Sequence, residues 1–196
     1  MENVLQQLNQ EMTAVVECVR PSLVRISNGR HGTGAGVLWQ SNGLILTNAH
    51  VIRSQEPRVT LWDGRTFPAR VLDTDTDHDL AVLSIPAAGL TPIESGTTWP
   101  PRPGQWVLAF GHPWGVSGAV TVGSVIAVGA PPEIPQCRGE LLQVGLHVRP
   151  GYSGGPLVDA HGHLVGLNMM MAGPDVGLAI PLPVIKAFLR RVPGRV

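Results

Sequence analysis

The segment "GYSGGPLVDAHGHLVGLN" at residues 151–168 decides the fold of this chain. It begins with Ser153 enclosed by glycines, and it continues as two apolar runs on either side of the turn-forming letters "AHGH". Apolar runs separated by a short glycine-containing turn predict a β-hairpin. A nucleophilic serine of the elbow type would instead stand between a strand and a helix. We therefore interpret the segment as a serine-bearing turn that leads into a hairpin of an all-β protein.

Most of the remaining chain has the same character, because short β-rich runs alternate with Gly, Pro, Asn and Asp. Six such runs lie within residues 21–86, and a second series, which includes the hairpin, lies within residues 105–181. The stretch between them, about 87–104, is rich in proline and has no periodicity, which is typical of a linker. Helices do not alternate with the strands. The pattern therefore predicts two six-stranded halves in a single domain over 1–196, and not a doubly wound sheet.

Both ends of the chain carry helical patterns. Apolar residues recur at helical spacing through residues 2–20, and Pro21 ends the pattern. Residues 182–192 carry apolar side chains on one helical face and predict a closing helix. The predicted fold class is therefore all-β, with one helix at the N-terminus and one at the C-terminus.

The charge balance limits the classes of partner. Fourteen basic residues match fourteen acidic ones, so no basic stripe is available to neutralise phosphates, and no nucleic-acid partner is expected. No stretch approaches the roughly 18 apolar residues of a membrane span. The first residues show neither a positive nor an apolar signal region, so the chain as written is expected to be cytoplasmic unless its N-terminus was trimmed. Cys18 and Cys137 lack metal-ligand spacing and are interpreted as free thiols, with one bridge between them as the alternative.

Ser153 is the candidate nucleophile. A serine nucleophile needs a base within hydrogen-bond reach, a carboxylate that orients the base, and backbone N–H groups for the oxyanion. The surrounding glycines leave the hydroxyl accessible, and Gly151 lets the N–H groups of Gly151 and Ser153 converge on one point. The alternative interpretation is a glycine-rich turn without chemistry, and the segment alone does not separate the two.

His50 is the candidate base among seven histidines, because it stands at the end of the apolar strand "GLILTNAHV" beside a small residue. On local sequence alone, a histidine that only caps the strand is the stronger interpretation. His78 is the nearest rival because it adjoins a run of acidic residues. His112, in "GHPWG", is interpreted as a loop residue.

The alternating acidic residues of "DTDTDHDLAVLSI" offer the carboxylate. Asp79 opens an apolar strand, where an unpaired carboxylate would be costly to bury, so a histidine partner is expected there. Asp73, Asp75 and Asp77 are interpreted as solvated loop charges. A calcium site is the alternative, but the loop lacks the glycine and the terminal glutamate of such sites. We therefore expect no metal and no cofactor.

Four segments together resemble the trypsin-like serine proteases, and among them the HtrA/Deg type. They are "TGAGVLWQSNGLILTNAHVI", "DLAVLSI", "PGQWVLAFGHPWG" and the hairpin segment, in that order, and the match extends from about residue 19 to the closing helix. The resemblance implies two perpendicular six-stranded β-barrels with the active site between them. It also implies a serine endopeptidase that cleaves unfolded or flexible protein segments, with a role in protein quality control.

The resemblance also implies roles for individual residues. Ser153 would attack the substrate, His50 would transfer the proton and Asp79 would orient the imidazole. Gly151 and Ser153 would supply the oxyanion-hole N–H groups. The implied substrate-binding residues are His147, Val148, Asn168, Met169, Met170 and Met171, with the substrate added as an extended strand along the last four. This set contains no acid, so an aliphatic or otherwise uncharged side chain is expected before the scissile bond.

The chain departs from the family pattern in several places. Tyr152 stands where HtrA-type enzymes usually have Asn, His147 and Arg149 are unusual, and Met169 replaces a usual Ser or Thr. HtrA-type enzymes commonly carry a PDZ domain after the protease, and the chain as written is expected to be a protease domain without one. The helix at 2–20 could form a homotrimer or pack on its own barrel. The alternative function is a latent or inactive protease-fold module that binds peptides without turnover.

Overall fold

The computed structural model describes residues 2–29, 32–130 and 139–192, which form two α-helices and thirteen β-strands. The helices are α1 (Glu2–Val19) and α2 (Leu182–Leu189). The strands of the first half are β1 (Leu23–Ser27), β2 (Thr33–Gln40), β3 (Leu44–Thr47), β4 (Arg58–Thr60), β5 (Thr66–Pro68), β6 (Arg70–Asp75) and β7 (Leu80–Ser84). The strands of the second half are β8 (Trp106–Gly111), β9 (Ala119–Gly129), β10 (Leu141–Gly145), β11 (Pro156–Asp159), β12 (Leu164–Met171) and β13 (Gly177–Pro181).

The first half is an antiparallel sheet of seven strands in the order β5-β4-β1-β2-β3-β7-β6. Its two edge strands, β5 and β6, are consecutive in the chain and are separated only by Ala69. Both edges of the sheet therefore meet at Ala69, and the sheet curls into an incomplete barrel. The sequence pattern predicted six strands here, because the run 68–73 was interpreted as one strand. In the structure this stretch is divided at Ala69, where β5 ends and β6 begins.

The second half is a closed barrel of six antiparallel strands in the order β10-β13-β12-β11-β8-β9. The predicted hairpin is the β11–β12 pair, and Gly162 in its turn has φ 83°, a left-handed conformation that favours glycine. β12 is longer than its neighbour β11. The two strands pair only as far as Leu167, whereas β12 continues to Met171.

A hydrophobic core shared by both halves holds them together. It includes Val37 and Leu46 of the first sheet, Phe110 and Leu167 of the second, and Phe188 of α2, all of them buried. Burying one such side chain stabilises a fold by about 1.5–3 kcal/mol relative to leaving it in water. The prediction of an all-β architecture with two halves and two terminal helices is confirmed.

α1 buries only part of its apolar surface. Its C-terminal half joins the shared core through Val15 and Val19. Its N-terminal half leaves Val4, Leu5 and Leu8 exposed, with exposed fractions of 69%, 69% and 47%. Neither helix of the described residues is both long enough and apolar enough to cross a membrane.

Candidate active site

The pairing of β3 with β7 brings the candidate base and the candidate carboxylate together. The two strands are antiparallel, with Thr47 opposite Ala81. Residues that follow β3 and residues that precede β7 therefore lie at the same end of the sheet. His50, on a short 3₁₀ turn at Ala49–Val51, and Asp79, directly before β7, become neighbours in this way.

Asp79 holds His50 through both oxygens of its carboxylate. His50 Nδ1 lies 2.7 Å from Oδ2, and the backbone N–H of His50 donates to Oδ1 at 2.9 Å. The carbonyl of Asp79 accepts hydrogen bonds from Ala49 N and from Asn48 Nδ2, each at 3.1 Å. These bonds hold Asp79 at φ 54°, a left-handed conformation that costs a non-glycine residue about 1–3 kcal/mol. Because Nδ1 donates to the carboxylate, Nε2 is the ring nitrogen left to accept a proton.

His78, the rival base, is bound to a different carboxylate. Its Nδ1 lies 2.9 Å from Asp75 Oδ2, and its backbone N–H donates to Asp75 Oδ1 at 3.0 Å. Arg191, beyond the end of α2, donates to the same Asp75 Oδ2. His78 is thus fixed in a cluster with Asp75 and Arg191, and it does not line the cavity that contains His50 and Ser153.

The turn that carries Ser153 lies directly against the first half of the chain. Ala35 N, on β2, donates to the Ser153 carbonyl at 3.0 Å. Gly154 has φ 80°, and a Cβ at this position would lie 2.1 Å from Thr47 Oγ1 and 2.3 Å from the Ala35 carbonyl oxygen. Only glycine allows this approach, because any side chain would collide with the strands β2 and β3. The glycine therefore fixes Ser153 next to the strand that leads to His50.

The backbone before Ser153 forms a turn that exposes two N–H groups. Tyr152 N donates to the Arg149 carbonyl at 3.0 Å, and Gly151 has φ 107°. Pro150 followed by a glycine of positive φ is the pattern of a type II turn. The Gly151 carbonyl accepts from His112 N at 2.9 Å, and this fixes the plane of the turn. Within the described residues, the N–H groups of Gly151 and Ser153 donate to no protein acceptor, so both can bind an oxyanion.

His112 supports this turn as a neutral, buried side chain. Burial lowers its pKa from the ordinary 6.5 to about 4. Its Nδ1 accepts a hydrogen bond from Gly118 N at 3.2 Å. A Cβ on Gly151 would lie 2.6 Å from the His112 carbonyl oxygen, so the two backbones are in direct contact. The sequence placed His112 in a loop and gave it no role.

A cavity of about 500 Å³ is lined by His50, Asp79 and Ser153 together. Ser153 Oγ donates to the Met169 carbonyl at 3.0 Å. This carbonyl is accessible because the register of β12 against β13 shifts between Asn168 and Met170. The hydroxyl must therefore rotate away from Met169 before it can donate to His50. Catalytic hydrogen bonds are often loose without substrate and tighten when it binds.

Comparison with known proteins agrees with this arrangement. The family described as the trypsin-like peptidase domain matches residues 34–167, a range that includes His50, Asp79 and Ser153. The chain belongs to the trypsin-like peptidases. Its relatives include the mitochondrial serine protease HTRA2 of Drosophila pseudoobscura pseudoobscura, 39% identical over 168 residues, and the HhoB protein of Synechocystis sp., 36% identical over 157 residues. These matches cover 83% and 78% of this chain but only 39% and 38% of the relatives.

A solved structure of the HtrA-type protease AlgW with a tripeptide has the same fold as this trypsin-like peptidase. The TM-score is 0.84 at 30% sequence identity, and the superposition covers 90% of this chain and 61% of the AlgW chain. The resemblance to trypsin-like serine proteases of the HtrA type is therefore confirmed. The domain is of the serine-endopeptidase class.

The trypsin-like peptidase places most of its predicted substrate-binding residues around one cavity. Those that line it are Val148, Asn168, Met169, Met170 and Met171. Asn168 directs its side chain into the interior, where Nδ2 lies 3.2 Å from the carbonyl oxygens of both Phe110 and Pro156. His147 does not line this cavity. Its Nδ1 lies 3.0 Å from Asp175 Oδ1, on the loop between β12 and β13.

Three lining residues had no role in the sequence analysis: Arg53, Arg149 and Pro150. Arg53 Nε donates to the His50 carbonyl at 3.2 Å, so the arginine is fixed beside the base. Arg149 and Pro150 occupy the first two positions of the turn that ends at Tyr152. The signal in the sequence was the order Arg-Pro-Gly directly before the serine turn, which predicts a type II turn with a cation at its start.

The remaining predictions concern thiols and metals. Cys18 is an exposed free thiol, whereas Cys137 lies outside the described residues. Within residues 2–29, 32–130 and 139–192, no three His, Cys, Asp or Glu side chains are placed to hold a metal ion. Two carboxylates of the acidic run that suggested calcium are paired with histidines: Asp75 with His78, and Asp79 with His50.

Proposed function

We propose that the protein is a serine endopeptidase that hydrolyses peptide bonds in unfolded or flexible segments of other proteins, with a role in protein quality control. The observation that carries the proposal is one cavity lined by Ser153, His50 and Asp79, with two unpaired backbone N–H groups beside the serine. His50 is oriented by Asp79, and Ser153 lies on the opposite half of the molecule.

The proposed reaction has two half-reactions, and in each of them His50 acts first as a base and then as an acid. Ser153 Oγ leaves the Met169 carbonyl, transfers its proton to His50 Nε2 and attacks the substrate carbonyl carbon. Asp79 stabilises the imidazolium, and the N–H groups of Gly151 and Ser153 stabilise the oxyanion. His50 then returns the proton to the leaving amine as the peptide bond breaks. Water attacks the acyl-enzyme by the same route and regenerates Ser153.

The free side of β12 supports binding of an extended substrate. β11 pairs with β12 only as far as Leu167, and the backbone groups of Asn168 are bound to Gly154 and Gly155, so residues 169–171 have no strand partner on that side within the described residues. A peptide can add there as another strand, through backbone hydrogen bonds that do not depend on its sequence. Because a folded protein does not present an extended segment with free backbone groups, this mode selects unfolded or flexible regions.

The cavity disfavours a basic side chain before the scissile bond. Val148, Pro150 and Met171 contribute apolar surface to it, and Asp79 is the only acid among its lining residues. Both oxygens of Asp79 are already bound to His50. A basic side chain would therefore find no free carboxylate, whereas an aliphatic side chain would bury apolar area.

Hydrolysis of casein tests the proposal against the alternative of a peptide-binding module without turnover. The wild-type chain should degrade casein, and Ser153→Ala should abolish degradation. Ser41→Ala, which changes an exposed serine in the turn between β2 and β3, is the matched control and should retain full activity. Degradation of casein at the same slow rate by the wild type and by Ser153→Ala would contradict the proposal.

We further propose that α1 assembles the chain into a homotrimer. Val4, Leu5 and Leu8 form an exposed apolar surface at the N-terminal end of the helix, and burial of this surface between copies would be favourable. Light scattering coupled to gel filtration should give the mass of a trimer, and a variant with glutamine at all three positions should give a smaller mass. A wild-type mass equal to that of one chain would contradict this assembly.

A further inference from the structure

A second cavity, of about 390 Å³, adjoins the first at the catalytic residues. The two cavities share His50, Arg53, Pro150 and Ser153. If a substrate adds along residues 169–171, the residues before its scissile bond occupy the first cavity. The residues after the scissile bond must then leave across Ser153 into the second cavity, which we call the leaving-group cavity.

Arg53 supplies one positive charge to the leaving-group cavity. It lines both cavities, and its Nε is fixed by the His50 carbonyl at 3.2 Å. Among the described residues, no carboxylate lies within ion-pair distance of its guanidinium. Its remaining N–H groups are therefore available to a ligand next to the catalytic histidine.

Arg149 supplies a second positive charge at the edge of the leaving-group cavity. It lines the first cavity, and its guanidinium carbon lies 5.0 Å from the centre of the ring of Trp114, which lines the leaving-group cavity. This distance is within the range of a cation–π contact, which holds the guanidinium over the ring. Among the described residues, Arg149 also has no carboxylate partner at ion-pair distance.

Trp114 is not explained by packing. Its exposed fraction is 74%, and its φ of 52° is a left-handed conformation that is costly for an aromatic residue. Strain and exposure of this kind are typical of residues kept for a function. Here the contact that Trp114 makes is with Arg149, so its role is to position that cation.

The two arginines are not neutralised by acids of the cavity wall. No Asp or Glu is among the described residues that line the leaving-group cavity. Asp79, the one acid among the described residues that line the first cavity, accepts hydrogen bonds from His50 with both carboxylate oxygens. His112 is neutral at physiological pH because burial lowers its pKa to about 4. Arg53 on the wall of the leaving-group cavity and Arg149 over Trp114 at its edge therefore give this region a positive charge.

We propose that Arg53 and Arg149 make the enzyme select substrates with Asp or Glu at the first two positions after the scissile bond. This inference rests on the proposed peptidase function and extends it to a substrate class. A carboxylate at these positions would form charge-assisted hydrogen bonds with the guanidinium of Arg53, or with that of Arg149 over Trp114. Since the site is open to solvent, the attraction would be weakened by salt.

The test compares peptides that differ only after the scissile bond. In each pair of fluorogenic peptides, one peptide has Asp-Glu and the other has Asn-Gln at the first two positions after the scissile bond. The kcat/KM of each peptide is measured at 50 mM and 500 mM NaCl. The acidic peptide should be preferred about tenfold at low salt, with most of the difference in KM, as two partly exposed ion pairs predict. The preference should fall at high salt.

Variants test whether Arg53 and Arg149 cause the preference for acidic peptides. Arg53→Gln and Arg149→Gln should each reduce the ratio between acidic and neutral peptides, and Arg149→Glu should reverse it toward Lys-containing peptides. Trp114→Leu should reduce the ratio, and Trp114→Phe should retain it. Arg70→Gln is the matched control, because Arg70 is exposed and lies opposite Ser84, at the end of β7 away from Asp79. It should leave the ratio unchanged.

The outcomes separate this inference from the proposed function. Equal cleavage of acidic and neutral peptides by wild type would overturn the selectivity and leave the peptidase function intact. Absence of cleavage would count against the peptidase, but the selectivity would still be measured by anisotropy of the labelled peptides bound to Ser153→Ala. Equal Kd values for the two peptides in that experiment would overturn the inference on their own.

Discussion

Asp79 binds His50 twice, through the ring Nδ1 at 2.7 Å and through the backbone N–H at 2.9 Å. Asp75 binds His78 by the same two contacts, at 2.9 and 3.0 Å. Two histidine–carboxylate pairs of identical pattern therefore use aspartates four residues apart in the chain, and of the two histidines only His50 lines a cavity with Ser153. The pair His78–Asp75 therefore serves as a control for the pair His50–Asp79, because it has the same contacts outside the cavity.

Asp79→Asn should lower kcat by about 10³–10⁴ with little change in KM, because the amide no longer stabilises the imidazolium or fixes its tautomer. Asp75→Asn is the matched control, since it changes an identical contact outside the cavity, and it should alter kcat by less than a few-fold. Steady-state kinetics with a fluorogenic peptide measure both. Similar losses in the two variants would contradict the assignment of Asp79.

Asp75 should contribute to stability only above about pH 4. Its burial alone would raise the pKa, but hydrogen bonds from His78 and Arg191 outweigh burial and hold the pKa below the ordinary 3.8. A carboxylate whose pKa is lowered by folding stabilises the protein above its unfolded pKa, and this contribution is lost as pH falls through the folded value. Asp75→Asn should therefore reduce the free energy of unfolding by about 1 kcal/mol at pH 7 and by much less at pH 3.

Urea denaturation at the two pH values measures the effect of Asp75→Asn. Asp63→Asn is the control, because Asp63 pairs with Arg65 on an exposed turn and should not change stability measurably. A loss at pH 3 as large as the loss at pH 7 would show that the carboxylate charge is not responsible.

His112 should make the protein less stable as pH falls from about 6.5 to about 4. Burial lowers its pKa to about 4, so in this range the unfolded chain binds a proton that the folded chain does not. Acidification then favours unfolding, by up to about 3 kcal/mol across the window. His112→Phe should be less stable at pH 7, since Gly118 N loses its acceptor, but the dependence of stability on pH should be shallower. Titration of His112 near pH 6.5 in NMR spectra would contradict this prediction.

Gly151→Ala should reduce kcat by about 10²–10³ through loss of the oxyanion turn. A Cβ at this position would lie 2.6 Å from the His112 carbonyl oxygen, and φ 107° is unfavourable for alanine. Gly173→Ala is the matched control, because a Cβ there meets no atom within 4 Å, and it should leave kcat and stability unchanged. Circular dichroism checks that Gly151→Ala is folded. A folded variant with wild-type kcat would contradict the role of this turn.

Much of the fold could be predicted because apolar periodicity is local. The strand runs, the hairpin after Ser153 and both helices depend on neighbours in sequence. Their order was assigned correctly, although β5 was missed and α2 ends at Leu189 rather than at 192. The break at Ala69 could not be predicted, because it arises where one stretch of chain pairs with two different edges of the sheet. That pairing is a long-range property that no short segment encodes.

The residues of the candidate site could be nominated from the sequence, but the contacts between them could not. The resemblance nominated His50, Asp79 and Ser153, and the register of β3 against β7 explains why the first two meet. The hydrogen bond from Ser153 to Met169 depends on a register shift in β12, and the contact between Arg149 and Trp114 joins loops far apart in sequence. Such contacts are visible only once the strands and loops of the second half are folded against one another.

Labelling with a fluorophosphonate probe, followed by peptide mass spectrometry, measures whether Ser153 is an activated nucleophile. We expect one covalent adduct, on Ser153, which forms in the wild type and in Ser41→Ala and is lost in His50→Ala. Absence of an adduct near pH 8, or an adduct on another serine with Ser153 unmodified, would contradict the claim that His50 and Asp79 activate this hydroxyl.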